Sequence, residues 1–333
     1  MLDLPPVMQA VQITEPGVVA CREFPVPAVP PREVLVKVEA VTTCPQWDLH
    51  MLAGEPMFPG GVLEYPLPVG QPGHEMAGEI VAVGSEVNTW QPGAEVVAWR
   101  DPGKARLGCY AQYVPFDPAN LLERPSPLTA AQAVSLELAM CVQVSMTQLQ
   151  DMRALQDKRM VVSGLGPAGL IAVQMARLYG AGEILALDPL PARRRLAIRA
   201  GADQALDPHA LGAIGRSSAP WDTGMDCTGL AASVTKLLEL CGEVVHVFGV
   251  LRDNVAFGLR EYRKGLALVG YGRHSKEAAL QALSLLGAGQ LDLSLLATHT
   301  LPLEEYRKGV ELLRRHEAVK VCFLPGVRHG AAS

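Results

Sequence analysis

No apolar run in this 333-residue chain approaches the roughly 18 residues that cross a bilayer, and the opening Met1-Leu2-Asp3-Leu4-Pro5-Pro6 lacks the positive flank and apolar stretch of a secretory signal. No membrane association is therefore expected, and a cytoplasmic location is. Charge of one sign is scarce too: 29 basic and 34 acidic residues are mixed along the chain for a net charge of −5, with no basic stripe to track a phosphate backbone. Nucleic acid is not an expected partner. The seven cysteines, at 21, 44, 109, 141, 227, 241 and 322, are odd in number and lack framework spacing, which predicts reduced thiols rather than a disulfide scaffold. Internal repeats and low-complexity segments are also lacking.

What is present is apolar residue in quantity. With 49% hydrophobic and 19% charged residues, a chain of this length exceeds what one core usually covers, so two domains are expected. From Val7 to about Pro127 the sequence reads as short β-runs broken by proline and glycine, with strands expected at 33–39, 79–83 and 95–98. Residues 53–72, dense in proline and glycine, read as a long ordered loop. After Pro127 the texture changes: Thr129 is placed to cap a helix, and strands at 160–162, 183–187, 224–227, 244–248 and 267–269 alternate with helical stretches. That alternation predicts an α/β fold with a doubly wound parallel sheet. Helices at 275–286 and 303–315 and a strand at 319–323 complete the expected elements.

The turn Gly164-Leu165-Gly166-Pro167-Ala168-Gly169 follows one of these strands and opens a helix. In that setting Gly164 permits the tight turn, Gly166 lets the backbone approach a pyrophosphate, and Gly169 allows close helix–strand packing, with the helix N-terminus facing the phosphates. Asp188, 19 residues beyond Gly169 at a strand end, is placed to accept hydrogen bonds from ribose hydroxyls, which favours NAD over NADP. The neighbouring Arg193, Arg194 and Arg195 leave a 2′-phosphate open as the alternative. Upstream, Gly73-His74-Glu75 lies 30 residues after Cys44. Thiolate, imidazole and carboxylate are ligands that Zn²⁺ accepts, and a catalytic zinc takes few of them so that water or substrate keeps a position.

With Val36-Lys37-Val38-Glu39-Ala40-Val41 leading to Cys44, Asp48-Leu49-His50, Gly73-His74-Glu75, the dinucleotide turn, Asp226-Cys227-Thr228-Gly229 and Thr298-His299-Thr300-Leu301-Pro302-Leu303, the chain resembles the zinc-dependent medium-chain dehydrogenase/reductase family over nearly its whole length. The resemblance implies a GroES-like catalytic domain over 1–138, completed by 273–333, a Rossmann domain over 139–272, and an active site in the cleft between them. It implies that Cys44 and His74 bind zinc, that Glu75 is a ligand or the adjacent carboxylate that exchanges with water, and that Glu137 stands where relatives place a further ligand. It puts Asp48 behind His74 as its orienting carboxylate and makes His50 the group that hands a proton to solvent. It assigns Thr228 and Gly249 to cofactor binding, Arg193 to the adenosine ribose and Lys320 to the pyrophosphate. Trp47, Phe58 and Tyr65 are candidates to line an apolar substrate pocket.

Two features depart from the family pattern. The segment Cys44-Pro45-Gln46-Trp47-Asp48-Leu49-His50 is one residue longer than usual and lacks the hydroxyl that passes the substrate proton, so Gln46 or water would fill that place. Between Trp90 and Val114 only Cys109 stands where many relatives have four cysteines, which predicts a single zinc and no structural site. The expected function is hydride transfer between an alcohol or polyol, or the matching carbonyl compound, and NAD(H), in a homodimer or homotetramer. Two alternatives remain open. A metal-free NADPH-dependent quinone or alkene reductase is opposed by Cys44, His74 and Glu75, and a non-catalytic nucleotide-binding protein is kept open by Pro45-Gln46-Trp47.

Overall fold

The structure is a computed structural model that describes residues 4–58, 60–103, 105–213 and 221–327; the first three residues of the opening segment fall outside it. The chain divides into two units, Met1–Leu138 with Asp292–Ser333, and Ala139–Leu291. The return to the first unit thus lies at 292 and not at 273. The helix Lys276–Gly287, which buries Ala278, Ala279, Ala282, Leu283 and Leu286 on one stripe, belongs with the second unit. No helix among the described residues is long and apolar enough to cross a membrane.

In the first unit Val34–Thr42 is the central strand. It pairs antiparallel with Glu75–Val83, with Tyr113–Phe116 and with Lys320–Leu324. Glu95–Ala98 and Leu121–Glu123 extend the sheet on one side and Ala297–Pro302 on the other. Val34, Leu35, Val36, Val38, Ala40 and Val41 are all buried while Lys37 points out, so this strand is covered on most of both faces. Tyr110, Phe116, Tyr306 and Phe323 fill the core with large rings, each contributing roughly 1.5–3 kcal/mol by burial. Pro45–Ala53 forms a helix where no helix is evident from the residues, with Pro45 in its first turn and Cys44 at the N-cap. The described residues of 55–74 carry no helix or strand, yet the segment is anchored: Leu67 N–H donates to Ile13 O at 2.9 Å and Gly70 N–H to Val11 O at 2.8 Å.

Among the described residues the second unit holds six parallel strands in the order Gln204–Leu206, Glu183–Leu187, Arg159–Ser163, Trp221–Asp226, Cys241–Val247 and Ala267–Gly270. Numbered along the chain, that order is 3-2-1-4-5-6. Strand order reverses between Arg159–Ser163 and Trp221–Asp226, and the glycine-rich turn leaves the first of these two. Open α/β sheets bind ligands at this reversal point.

Candidate metal centre and dinucleotide turn

The central strand of the first unit runs straight into Thr43 and Cys44, and its last residue, Thr42, is the register partner of Glu75. Sheet pairing therefore brings two sequence-distant segments together, and the ligand atoms of Cys44, His74 and Glu75 lie within 4.8 Å of one another. His74 Nδ1–H donates to Pro72 O at 2.9 Å, which turns Nε2 toward the cluster. Glu137, from the first turn of the helix Leu136–Asp151, reaches the same place, its Oε2 3.9 Å from His74 Nε2. Burial disfavours a charged His74, but the surrounding Cys44, Glu137 and Glu75 outweigh it and raise the imidazole well above its usual pKa. Burial also lifts Glu137 to about 7, opposed by His74 and assisted by Glu75. A thiol, an imidazole and two carboxylates converging where little water enters make a cage for a cation, and the donor set fits zinc.

Two side chains take positions other than those the resemblance implies. Asp48 does not bond to His74. Its Oδ2 accepts from Cys44 N–H at 2.8 Å and Tyr110 O–H at 2.9 Å, and its Oδ1 accepts from Tyr306 O–H at 2.6 Å. The longer segment starts a helix at Pro45, so a carboxylate four residues past the N-cap folds back onto the Cys44 amide, much as the return arm of a capping box does. Burial still pushes Asp48 up to about 6, against the lowering effect of its tyrosine partners. Lys320 is the second correction. It is fully buried inside the first unit, its Nζ 2.5 Å from Glu75 Oε1, 2.7 Å from Thr43 O and 3.4 Å from Thr42 Oγ1, and all three ammonium protons are directed at these acceptors rather than at a pyrophosphate.

His50 lies one turn along the same helix, largely buried, with Nδ1 3.5 Å from Glu55 Oε2 of the exposed Glu55. Trp47 stands edge-on to both Phe58 and His74, with ring centroids 6.1 and 6.2 Å apart, so one of the three predicted pocket aromatics, Trp47, adjoins the metal cluster and Phe58 packs against Trp47. Tyr65 donates to Met51 O at 2.5 Å and serves the loop. Cys109 packs in the core.

In the second unit each glycine of the turn has a separate steric reason. Gly164 has φ +88, and a Cβ there would fall 2.5 Å from Thr228 Cγ2; at Gly169 it would fall 1.9 Å from Gly164 O. At Gly166, the N-cap of the helix Pro167–Leu178, a Cβ would meet only Arg193 Nη1, at 3.2 Å. Leu165 N–H donates to Asp188 Oδ2 at 2.9 Å and Leu190 N–H to Asp188 Oδ1 at 2.8 Å, so Asp188 ties its strand end to the turn. Ala168 sits in the first turn of that helix. Burial lowers the Arg193 pKa, opposed by the negative charge of Asp188. Arg194 is committed elsewhere, donating to the carbonyls of Asp188 and Pro189, both at 2.8 Å. Thr228 O–H donates to Asp226 Oδ1 at 2.6 Å, and Gly249 packs so closely on Thr228-Gly229 that a Cβ would lie 2.1 Å from Gly229 N.

The alcohol dehydrogenase GroES-like domain matches residues 30–126 and the zinc-binding dehydrogenase domain residues 167–288. An L-threonine 3-dehydrogenase of Bacillus licheniformis is 28% identical over 93% of this chain and 96% of its own length. A putative zinc-binding dehydrogenase from Sinorhizobium meliloti 1021, solved with NADP, superposes with a TM-score of 0.83 at 26% identity over 96% of this chain and 99% of that one. An alcohol dehydrogenase from Thermus sp. ATN1 gives 0.79 at 28% identity, over 95% and 99%. The chain belongs to the zinc-dependent medium-chain dehydrogenase/reductase family, and it is an alcohol dehydrogenase-like oxidoreductase.

Proposed function

We propose that this protein transfers hydride between an alcohol or polyol, or the matching carbonyl compound, and NAD(H), using one zinc per chain and no structural zinc. Cys44 and His74 hold the metal together with a carboxylate. Bound there, zinc would supply the Lewis acidity that lowers the pKa of an alcohol, and a nicotinamide would be the hydride acceptor. The Pro72 carbonyl keeps the His74 proton on Nδ1, so the nitrogen offered to the metal stays a lone-pair donor. Trp47 and Phe58 give the neighbouring surface an apolar wall that suits a carbon chain. His50, with its contact to exposed Glu55, offers the hydroxyl proton a way from a largely buried imidazole to solvent.

NAD is preferred because Asp188 keeps a carboxylate at the strand end, where it repels a 2′-phosphate and accepts from ribose hydroxyls. A single zinc is supported by the packing of Cys109 into the core. Cytoplasmic location and a homodimer or homotetramer are the setting the family resemblance implies. The observation that carries the proposal is the convergence of Cys44, His74, Glu75 and Glu137 with the imidazole aimed by a carbonyl. The test is metal analysis of the purified chain, then NAD and NADP reduction against alcohols, polyols and L-threonine. Stoichiometric zinc and NAD-linked turnover are expected. A protein that takes up no zinc and reduces neither cofactor refutes the proposal.

A further inference from the structure

The lengthened segment after Cys44 puts Trp47 directly before Asp48, where the family pattern has a hydroxyl. Trp47 lies in the first turn of the helix Pro45–Ala53, three residues beyond Cys44. Its indole meets the His74 ring at 71° and the Phe58 ring at 77°, so an aromatic row runs outward from the imidazole. Trp47 is only half-buried and Phe58 is 46% exposed. Apolar surface left open beside a polar reaction centre is what the carbon skeleton of a ligand covers. An aryl group would continue the edge-to-face packing that Trp47 already makes with Phe58.

The short polar side chains that flank the ligands are engaged within the core. Thr42 O–H donates to Glu75 Oε2 at 3.2 Å, and Thr43 Oγ1 accepts from Val321 N–H at 2.9 Å. The Asp48 carboxylate carries its three donors, and Gln46 is exposed. A substrate hydroxyl beyond the one at the metal would therefore lie against indole and phenyl faces, its bonds to water broken and not replaced. We infer that Trp47 is the specificity-determining residue of this site: it selects, for the place beside the metal, a monohydric alcohol or matching carbonyl compound bearing an aryl group, and disfavours polyols.

The inference rests on the dehydrogenase reading above, and ligand binding is therefore measured apart from turnover. The Co²⁺-substituted full chain is titrated with benzyl alcohol and with glycerol while its visible spectrum is recorded, and NAD reduction is compared for 1-phenylethanol and xylitol. Wild type is expected to favour the aryl compound by about a hundredfold in both the binding ratio and the kcat/KM ratio. Trp47→Ser should lower both ratios by about tenfold or more, through KM rather than kcat. Trp47→Phe, which keeps a ring in place, should hold them within about threefold of wild type. A wild type that favours glycerol or xylitol, or a Trp47→Ser protein that keeps the wild-type ratios, overturns the inference. If Trp47→Ser does not fold, Phe58→Ser, at an exposed position, decides in its place by lowering both ratios at least about threefold; unchanged ratios there overturn the inference. If the aryl preference in binding holds while neither NAD nor NADP is reduced, it is the dehydrogenase reading that fails.

Discussion

Substituting Gly166 separates cofactor binding from folding. Its backbone, φ −70 and ψ −169, is extended and open to any residue, and an added Cβ meets only the far end of the Arg193 side chain at 3.2 Å. Alanine should therefore fold normally, with a small gain from restricting the unfolded chain. The methyl would instead stand over the helix N-terminus, where a pyrophosphate must come close to backbone N–H groups. Losing one such charge-assisted hydrogen bond costs about 1.5–3 kcal/mol, which weakens cofactor binding roughly ten- to a hundredfold. Gly169→Ala behaves differently, because its Cβ would lie 1.9 Å from Gly164 O and the turn must move, at about 1–3 kcal/mol of stability or more. Calorimetric titration with NADH and thermal melts of both variants provide the assay. If Gly166→Ala binds NADH as wild type does, or melts as early as Gly169→Ala, the assignment of this turn to the pyrophosphate is wrong.

Other perturbations follow from the same geometry. Chelating zinc should lower the melting temperature, and adding zinc back but not magnesium should restore it, since saturation at a thousand times Kd contributes about 4 kcal/mol; equal melting with and without chelator would count against a bound metal. Tyr306→Phe removes the 2.6 Å donor from buried Asp48 and should cost about 1–3 kcal/mol in urea denaturation, and an unchanged midpoint would show that this bond contributes nothing. Burial holds His246 down to about 4 from 6.5, so below pH 6.5 the unfolded chain takes a proton that the folded chain refuses. Stability is unaffected at neutral pH, falls as pH drops toward 4, and has lost roughly 3 kcal/mol there. Hydrogen exchange in the strand Cys241–Val247 should show that slope in wild type but not in His246→Gln; the same slope in both would place its origin elsewhere.

The parallel sheet was legible because its information is local. Short apolar runs between turn residues mark strands, the glycine turn marks the first crossover, and right-handed crossovers then leave few strand orders to choose from. Cys44 and His74 were also legible as residue types in sequence and Glu137 through the family resemblance alone, although sheet register is what brings Cys44 and Glu75 within reach of each other. Their supports were not legible. The orienting acceptor of His74 is a backbone carbonyl, which any residue provides and no motif records. Tyr306 and Lys320 act across 258 and 245 residues of chain, and a tyrosine in a C-terminal helix or a lysine opening a strand carries no local mark of a buried partner.

The longer first-ligand segment shows how one added residue redistributes these supports. With Cys44 at the N-cap and Asp48 four residues on, the carboxylate folds back on the Cys44 amide and is fixed there by two tyrosines, which leaves it a charge–charge interaction with His74 but no hydrogen bond to it. The imidazole then needs another acceptor, and Pro72, two residues before it, provides one without any long-range contact. Cys44 and His74 are thus positioned independently, the first by the packed tyrosine core and the second by its own loop. Asp48→Asn should accordingly disturb the thiolate side of the centre and leave the His74 tautomer intact. In Co²⁺-substituted protein this means a shifted sulfur-to-metal charge-transfer band with an unchanged imidazole N–H resonance, and a lost resonance would show that Asp48 does reach His74.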